Sequence, residues 1–330
     1  MAFQKDMKVF SVAYLKEIWK IVVATFMGFI DDNGLKLSAS LAYYTIFSIS
    51  PLLILIISLA GLFLGPDAAA HRLYPQIAGY VGTKAALQIE EILKNLQLSG
   101  KSGTAVVVGV IILLLGASGI FLEIQDSLNI IWRVKAKPKR GWIKLIQNRF
   151  LSFSLIISLG FLLLASLIIN LVMKALSTWI EHFLPALTRL LLNGINLGIT
   201  LIVITVLFAI IFKFLPDVKI RWKDVRTGAL FTAILFMAGQ YLISLYIQYT
   251  AQNSAYGAAG SILVILVWIY YTSAILYIGA EFTQVYAEAI GCKIEPADYA
   301  VSVKQTEIER IVETLPAQNP EIKGTLKKVD

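Results

Sequence analysis

The chain has 330 residues, 58% of them hydrophobic and only 15% charged, against roughly 25% charged in ordinary soluble domains. Its net charge is +8 and its mean hydropathy +0.75, which excludes an ordinary soluble globule and places the basic residues in cytoplasmic loops beside anionic lipid. One cysteine, Cys292, and two histidines, His71 and His182, exclude an internal disulfide, a multi-cysteine metal site and a histidine-rich centre; neither metal nor cofactor is expected.

At the start of the chain Val12, Leu15, Trp19, Val22 and Phe26 recur at three- and four-residue steps, with Lys16, Glu17 and Lys20 between them. This spacing predicts an amphipathic helix in the cytoplasmic interface, within an N-terminal segment of residues 1–36. Asp31, Asp32, Asn33 and Gly34 break it. The next 28 residues, 37–64, contain no charge and exceed the roughly 20 apolar residues that cross a bilayer. The first half of this span carries Ser38, Ser40, Tyr43, Tyr44, Thr45, Ser48 and Ser50, and Pro51 follows.

The loop after span one is polar, with an amphipathic helix marked by Ile89, Ile92, Leu93 and Leu96. Span two is expected at residues 104–122, and its small-residue run Gly116, Ala117, Ser118, Gly119 would let a neighbouring helix approach closely. The pattern stays helical through Trp132, and a basic loop from Arg133 to Arg149 follows. Spans three to six are expected at residues 150–172, 194–212, 227–249 and 258–280, with a second basic loop at 213–226. Lysine and arginine placement then puts both termini in the cytoplasm and the residue 65–103 loop outside. The fold class is all-α: a six-span membrane domain, residues 37–290, followed by a polar, partly disordered cytoplasmic tail, residues 291–330.

Several residues are candidates for function. Ser40, Tyr44 and Ser48 share one helical face, with Tyr43 beside it. They either line a polar path or hydrogen-bond to a neighbouring helix. Pro51 is a hinge or a fixed bend. Gln240 and Ser244 form a polar stripe on span five, and the amide at mid-span needs partners, which the span-one hydroxyls would supply. Glu123 and Asp126 end span two on one face, with Asn129 a turn further, and Glu281 ends span six. Carboxylates near membrane depth are either ion-paired to Lys36, Arg133 or Lys213 or belong to a proton- or ligand-linked site. Asp217 and Asp224 are expected to cap turns and pair with lysine or arginine.

Three stretches carry a resemblance: SLAYYTIFSISPLLILI in span one, LPDVKIRWKDVRTGAL leading into span five, and YGAAGSILVILVWIYYTSAILYIGAEF across span six. In this order, and from about Trp19 to Ala289, the chain resembles the YihY/virulence factor BrkB family of bacterial inner-membrane proteins, some of which carry the old label ribonuclease BN. The resemblance implies a bacterial plasma (inner) membrane protein that transports some molecule, a lipid or amphiphile being the usual suggestion for the family.

Two isolated histidines cannot build the clustered ligand set of a metal-dependent nuclease, so the chain is not expected to be an enzyme or to bind nucleic acid. The leading expectation is a transporter or lipid-translocating protein with a polar seam between spans one and five and Glu123, Asp126 and Glu281 at its inner mouth. The alternative is a scaffold that recruits partners or anionic headgroups through its basic loops. A homo-oligomer is left open.

Overall fold

A computed structural model of the chain describes residues 12–64, 103–137, 154, 185–251, 257–290 and 294–304. The expected third span (apart from helical Ser154), the amphipathic segment around Ile89, both histidines, Cys292 and the tail beyond residue 304 lie outside the described residues. Six long helices stand among those residues: α1 Val12–Asp31, α2 Gly34–Leu64, α3 Gly103–Ile131, α4 Pro185–Phe214, α5 Trp222–Ala251 and α6 Gly257–Ala289.

Local chemistry sets the helix ends. Asn33, at φ 56°, turns the chain between α1 and α2, a left-handed conformation that asparagine tolerates better than most residues. Lys36 and Leu37 donate their amides to the Asn33 carbonyl and so start α2. Arg133, at φ 53°, ends α3 in the same way. Proline opens α4, where its missing amide hydrogen costs nothing. Asp224 lies in the first turn of α5, where a negative charge suits the helix dipole. It accepts hydrogen bonds from Arg221 Nε at 3.0 Å and Nη2 at 3.3 Å, the basic partner expected of it.

Helix α6 is the central element. It packs against α1, α2, α3 and α5, while α2 also packs on α3 and α4 on α5. The small-residue run of α3 meets α2 as its composition requires. A β-carbon at Gly116 would lie 3.0 Å from Pro51 Cγ, and one at Gly119 would lie 3.1 Å from Ser48 Oγ. Helix α2 continues through Pro51, whose ring rests on α3 although proline forfeits the bond to the preceding turn.

The contact between α5 and α6 is reciprocal. Gly228 of α5 faces Thr283 of α6, and Gly279 of α6 faces Thr232 of α5, so closely that neither glycine has room for a β-carbon. Each threonine hydroxyl donates to the carbonyl four residues back on its own helix, Thr232 to Gly228 and Thr283 to Gly279, both at 2.7 Å. The hydroxyls are thereby satisfied within their own helices, and close apolar packing holds the antiparallel pair.

Two short antiparallel ladders join one end of the bundle, an addition to the all-α expectation. Strand β1, Val134–Ala136, follows α3 and pairs with β4, Ala300–Ser302; β2, Val218–Lys219, follows α4 and pairs with β3, Glu295–Pro296. Residues 294–304, expected within a polar tail, therefore tie the α3 and α4 exits together. The ends of α1, α3, α4 and α6 and the starts of α2 and α5 gather at this layer, called the joint here. The described core concentrates near it, with Leu128, Ile131, Phe212, Leu215, Val225 and Tyr277 all but inaccessible.

Away from the joint α4 and α5 present exposed apolar surface. Residues 194–214 and 222–243 are each long and apolar enough to cross a membrane, yet only 17% and 28% of their most apolar windows are buried. The core helix of a soluble protein would be covered, whereas a helix facing lipid need not be.

Candidate functional site

The joint holds two buried polar clusters. In the first, Asp32 follows the last turn of α1 and Glu281 stands on α6; both are almost fully buried. Arg133, just beyond α3, donates from Nη2 to Asp32 Oδ1 at 3.1 Å. Glu281 stands near Asp32, and its Oε2 reaches over Gly28 of α1, where an added β-carbon would meet it at 2.8 Å. A glycine at position 28 is what lets α1 and α6 close over this carboxylate. Glu281 Oε1 has no hydrogen-bond partner.

Two buried carboxyls side by side repel one another when both are ionised, and the Arg133 guanidinium on Asp32 offsets part of that charge. Burial raises the pKa of Asp32 above its ordinary value, and the Arg133 guanidinium opposes that rise without cancelling it. The cluster thus joins α1, α3 and α6 through two acids and one exposed base. The indole Nε1 of Trp132 adds a second tie, donating to the Ala280 carbonyl at 3.1 Å.

The second cluster is built around Asp217, only 2% exposed. Gln125 and Asn129, one turn apart on α3, donate amide protons to Oδ1 and Oδ2, each at 3.0 Å. The Asp217 amide returns a hydrogen bond to Asn129 Oδ1 at 2.9 Å. Tyr299, between β3 and β4, donates its hydroxyl to Oδ1 at 3.0 Å, and the Ala297 amide donates to the Asp217 carbonyl at 2.9 Å. Burial and the adjacent Asp217 carboxylate hold the Tyr299 phenol up at about 12, so it remains a donor. These contacts make Asp217 the acceptor for α3 and the C-terminal strands.

Of the residues singled out in the sequence, Glu281 enters the first cluster and Asn129 the second. Glu123 is half-buried and Asp126 exposed on α3, while Glu281 stands buried on α6. Ser48 is buried against Gly119, which supports its packing role, whereas Tyr43 and Tyr44 are largely exposed and Ser40 is half-buried. Gln240 is exposed, and the side chain of Ser244 lies outside the described residues. The expected seam between spans one and five is not a principal helix contact among the described residues, because α2 and α5 each pack on α6.

Asp32, Gln125, Asp217 and Tyr299 were missed as functional residues. The four-residue spacing of Gln125 and Asn129 on an otherwise apolar helix face is the one signal that pointed toward the second cluster.

Residues 25–301, which include every member of both clusters, match the virulence factor BrkB family. The chain belongs to that family. Among curated members, a UPF0761 membrane protein of Pseudomonas paraeruginosa is 28% identical over 76% of this chain and 59% of its own length. One from Pseudoalteromonas translucida is 26% identical over 77% and 81%. A ribonuclease-like protein named YfkH, from Bacillus subtilis, is 27% identical over 82% of this chain and 94% of its own. The chain spans about three fifths of the length of the Pseudomonas relatives. No solved structure matches it. Family membership and the exposed apolar helices together make this a membrane protein.

Proposed function

We propose that this BrkB-family protein is a six-span protein of the bacterial inner membrane, with both termini cytoplasmic, that moves a lipid or other amphiphile. The observation that carries the reading is the Asp32–Arg133–Glu281 cluster. Two buried carboxyls with one exposed cation are costly to keep at a helix junction, and ionisable groups near membrane depth mark function by default. The three helices they join can separate or close as a carboxyl of the cluster gives up or takes a proton, giving a proton-linked movement at the cytoplasmic end. No enzyme activity belongs to this reading.

The test is reconstitution into vesicles carrying a fluorescent phospholipid in both leaflets, with a membrane-impermeant quencher added outside. Translocation by the wild type would quench more than the outer half of the label, and Glu281→Gln would change the rate and its pH dependence. Quenching that stops at half, as in protein-free vesicles, would sink the translocation reading.

A second reading, a scaffold that recruits partners through basic loops, is favoured by the close fit of Ser48 and Pro51 against α3. It predicts copurifying proteins in mild detergent that disappear when the basic loops are neutralised.

A further inference from the structure

We infer that the cleft between the start of α5 and the end of α6 is a binding site for the phosphate-bearing headgroup of an anionic phospholipid. The inference is independent of whether the chain translocates anything. The cleft measures about 420 Å³ and is lined by Arg221, Lys223, Arg226 and Leu230 from the α5 side and by Tyr286 and Ile290 from the α6 side. Asp224 also lines it, but that carboxylate is buried and held by Arg221. Its charge is answered within the protein, and the cleft keeps a net positive rim.

Three observations select a lipid over a free anion. First, the cations stand at the start of the apolar stretch 222–243, where an interface-level headgroup would lie. Trp222 there is half exposed and stacks edge-on against Phe214, and Lys213 lies 5.7 Å over its ring. Indole and lysine at a helix border mark the headgroup level. Second, Arg226, Leu230 and Ile234 follow one another at four-residue steps, so a single face of α5 runs from cation to apolar surface. Leu230 is 43% and Ile234 54% exposed, as acyl chains would require. Third, the volume holds a headgroup while the chains would lie along α5; a soluble anion has no use for that stripe. Arginine and lysine bring the charge complementary to an anionic surface.

The purified full chain in detergent would be titrated with phosphatidylglycerol bearing two eight-carbon chains, with phosphatidylcholine of the same chains, with inorganic phosphate and with a short RNA, and followed by native mass spectrometry and thermal unfolding. The expected result is selective binding of phosphatidylglycerol, weakened roughly tenfold or more in Lys223→Gln/Arg226→Gln. Lys135→Gln/Lys137→Gln, in the other basic segment, would retain it. Equal binding of phosphatidylcholine, phosphate or RNA would overturn the inference, as would equal loss in both double variants. Should the first double variant not fold, Leu230→Gln supplies the apolar arm: reduced phosphatidylglycerol binding supports the site and unchanged binding refutes it.

Discussion

The reciprocal Gly–Thr contact makes the sharpest stability prediction. Gly279→Ala places a β-carbon directly on the Thr232 side chain, and Gly228→Ala does the same to Thr283. In neither case is the obstacle the far end of a flexible chain. Each threonine is β-branched, buried and bonded to its own helix, so the helices must part. Overpacking of this kind costs about 1–3 kcal/mol. Replacing a helical glycine by alanine returns roughly 0.5–1 kcal/mol through reduced backbone freedom, which leaves a net loss in both variants. Gly194→Ala and Gly198→Ala are the controls, because a β-carbon there meets nothing within 4 Å and only the favourable term applies. Thermal unfolding in detergent should rank these controls at or above wild type and the two interface variants below it. Thr232→Ala should partly rescue Gly279→Ala, with a coupling of about 0.5–3 kcal/mol, and should leave Gly194→Ala unaffected. If Gly279→Ala proves as stable as Gly194→Ala, the helices are not held by this close approach.

Asp217→Asn should destabilise the chain by about 1–3 kcal/mol, because the new amide points a donor at groups that already donate, namely Gln125, Asn129 and Tyr299. Thermal unfolding checks the loss, and faster proteolytic release of the C-terminal segment should accompany it. Stability should also respond to pH through the first cluster. Asp32 holds its proton more tightly in the folded chain than an exposed aspartate does, so the folded state binds more protons in that window and stability rises as pH falls toward the ordinary carboxylate range. Asp32→Asn removes the titrating group and should flatten that slope; an unchanged slope would show that Asp32 does not control it. Finally, Asn33→Ala should cost about 1–2 kcal/mol for a left-handed residue with a β-carbon, whereas Asn33→Gly should be neutral or better by the same melting assay.

The membrane helices were legible because they depend on composition and local spacing alone. Apolar runs located α2, α3, α4, α5 and α6, although α4 starts nine residues before its expected span and α6 ends nine residues after, and the run from Gly116 to Gly119 correctly announced a close contact. The joint was not legible for equally physical reasons. Asp217 meets its α3 partners across 88 and 92 residues and Tyr299 across 82, and helical periodicity shows which residues share a face, never which helix that face meets. Ser48 and Gln240 each lie on a polar stripe, but that α2 and α5 each pack on α6 is not visible in either stripe. Asp31-Asp32-Asn33-Gly34 looked like a turn and is one, yet its second aspartate turns inward. Strands of two or three residues are too short to show a period of two.

These misses fall together at the joint. Within the apolar stretch the α5–α6 hydroxyls are satisfied on their own helices and contacts are made by small residues, so local sequence governs the outcome. Where the helices end, backbone groups leave their ladders and charged side chains can be solvated when the contacts open. Long-range polar bonds between Asp32, Arg133, Glu281, Asp217 and Tyr299 can therefore form and break there at lower cost than at mid-membrane. A protein that changes shape in a bilayer needs its reversible contacts in such a layer, and both clusters occupy it.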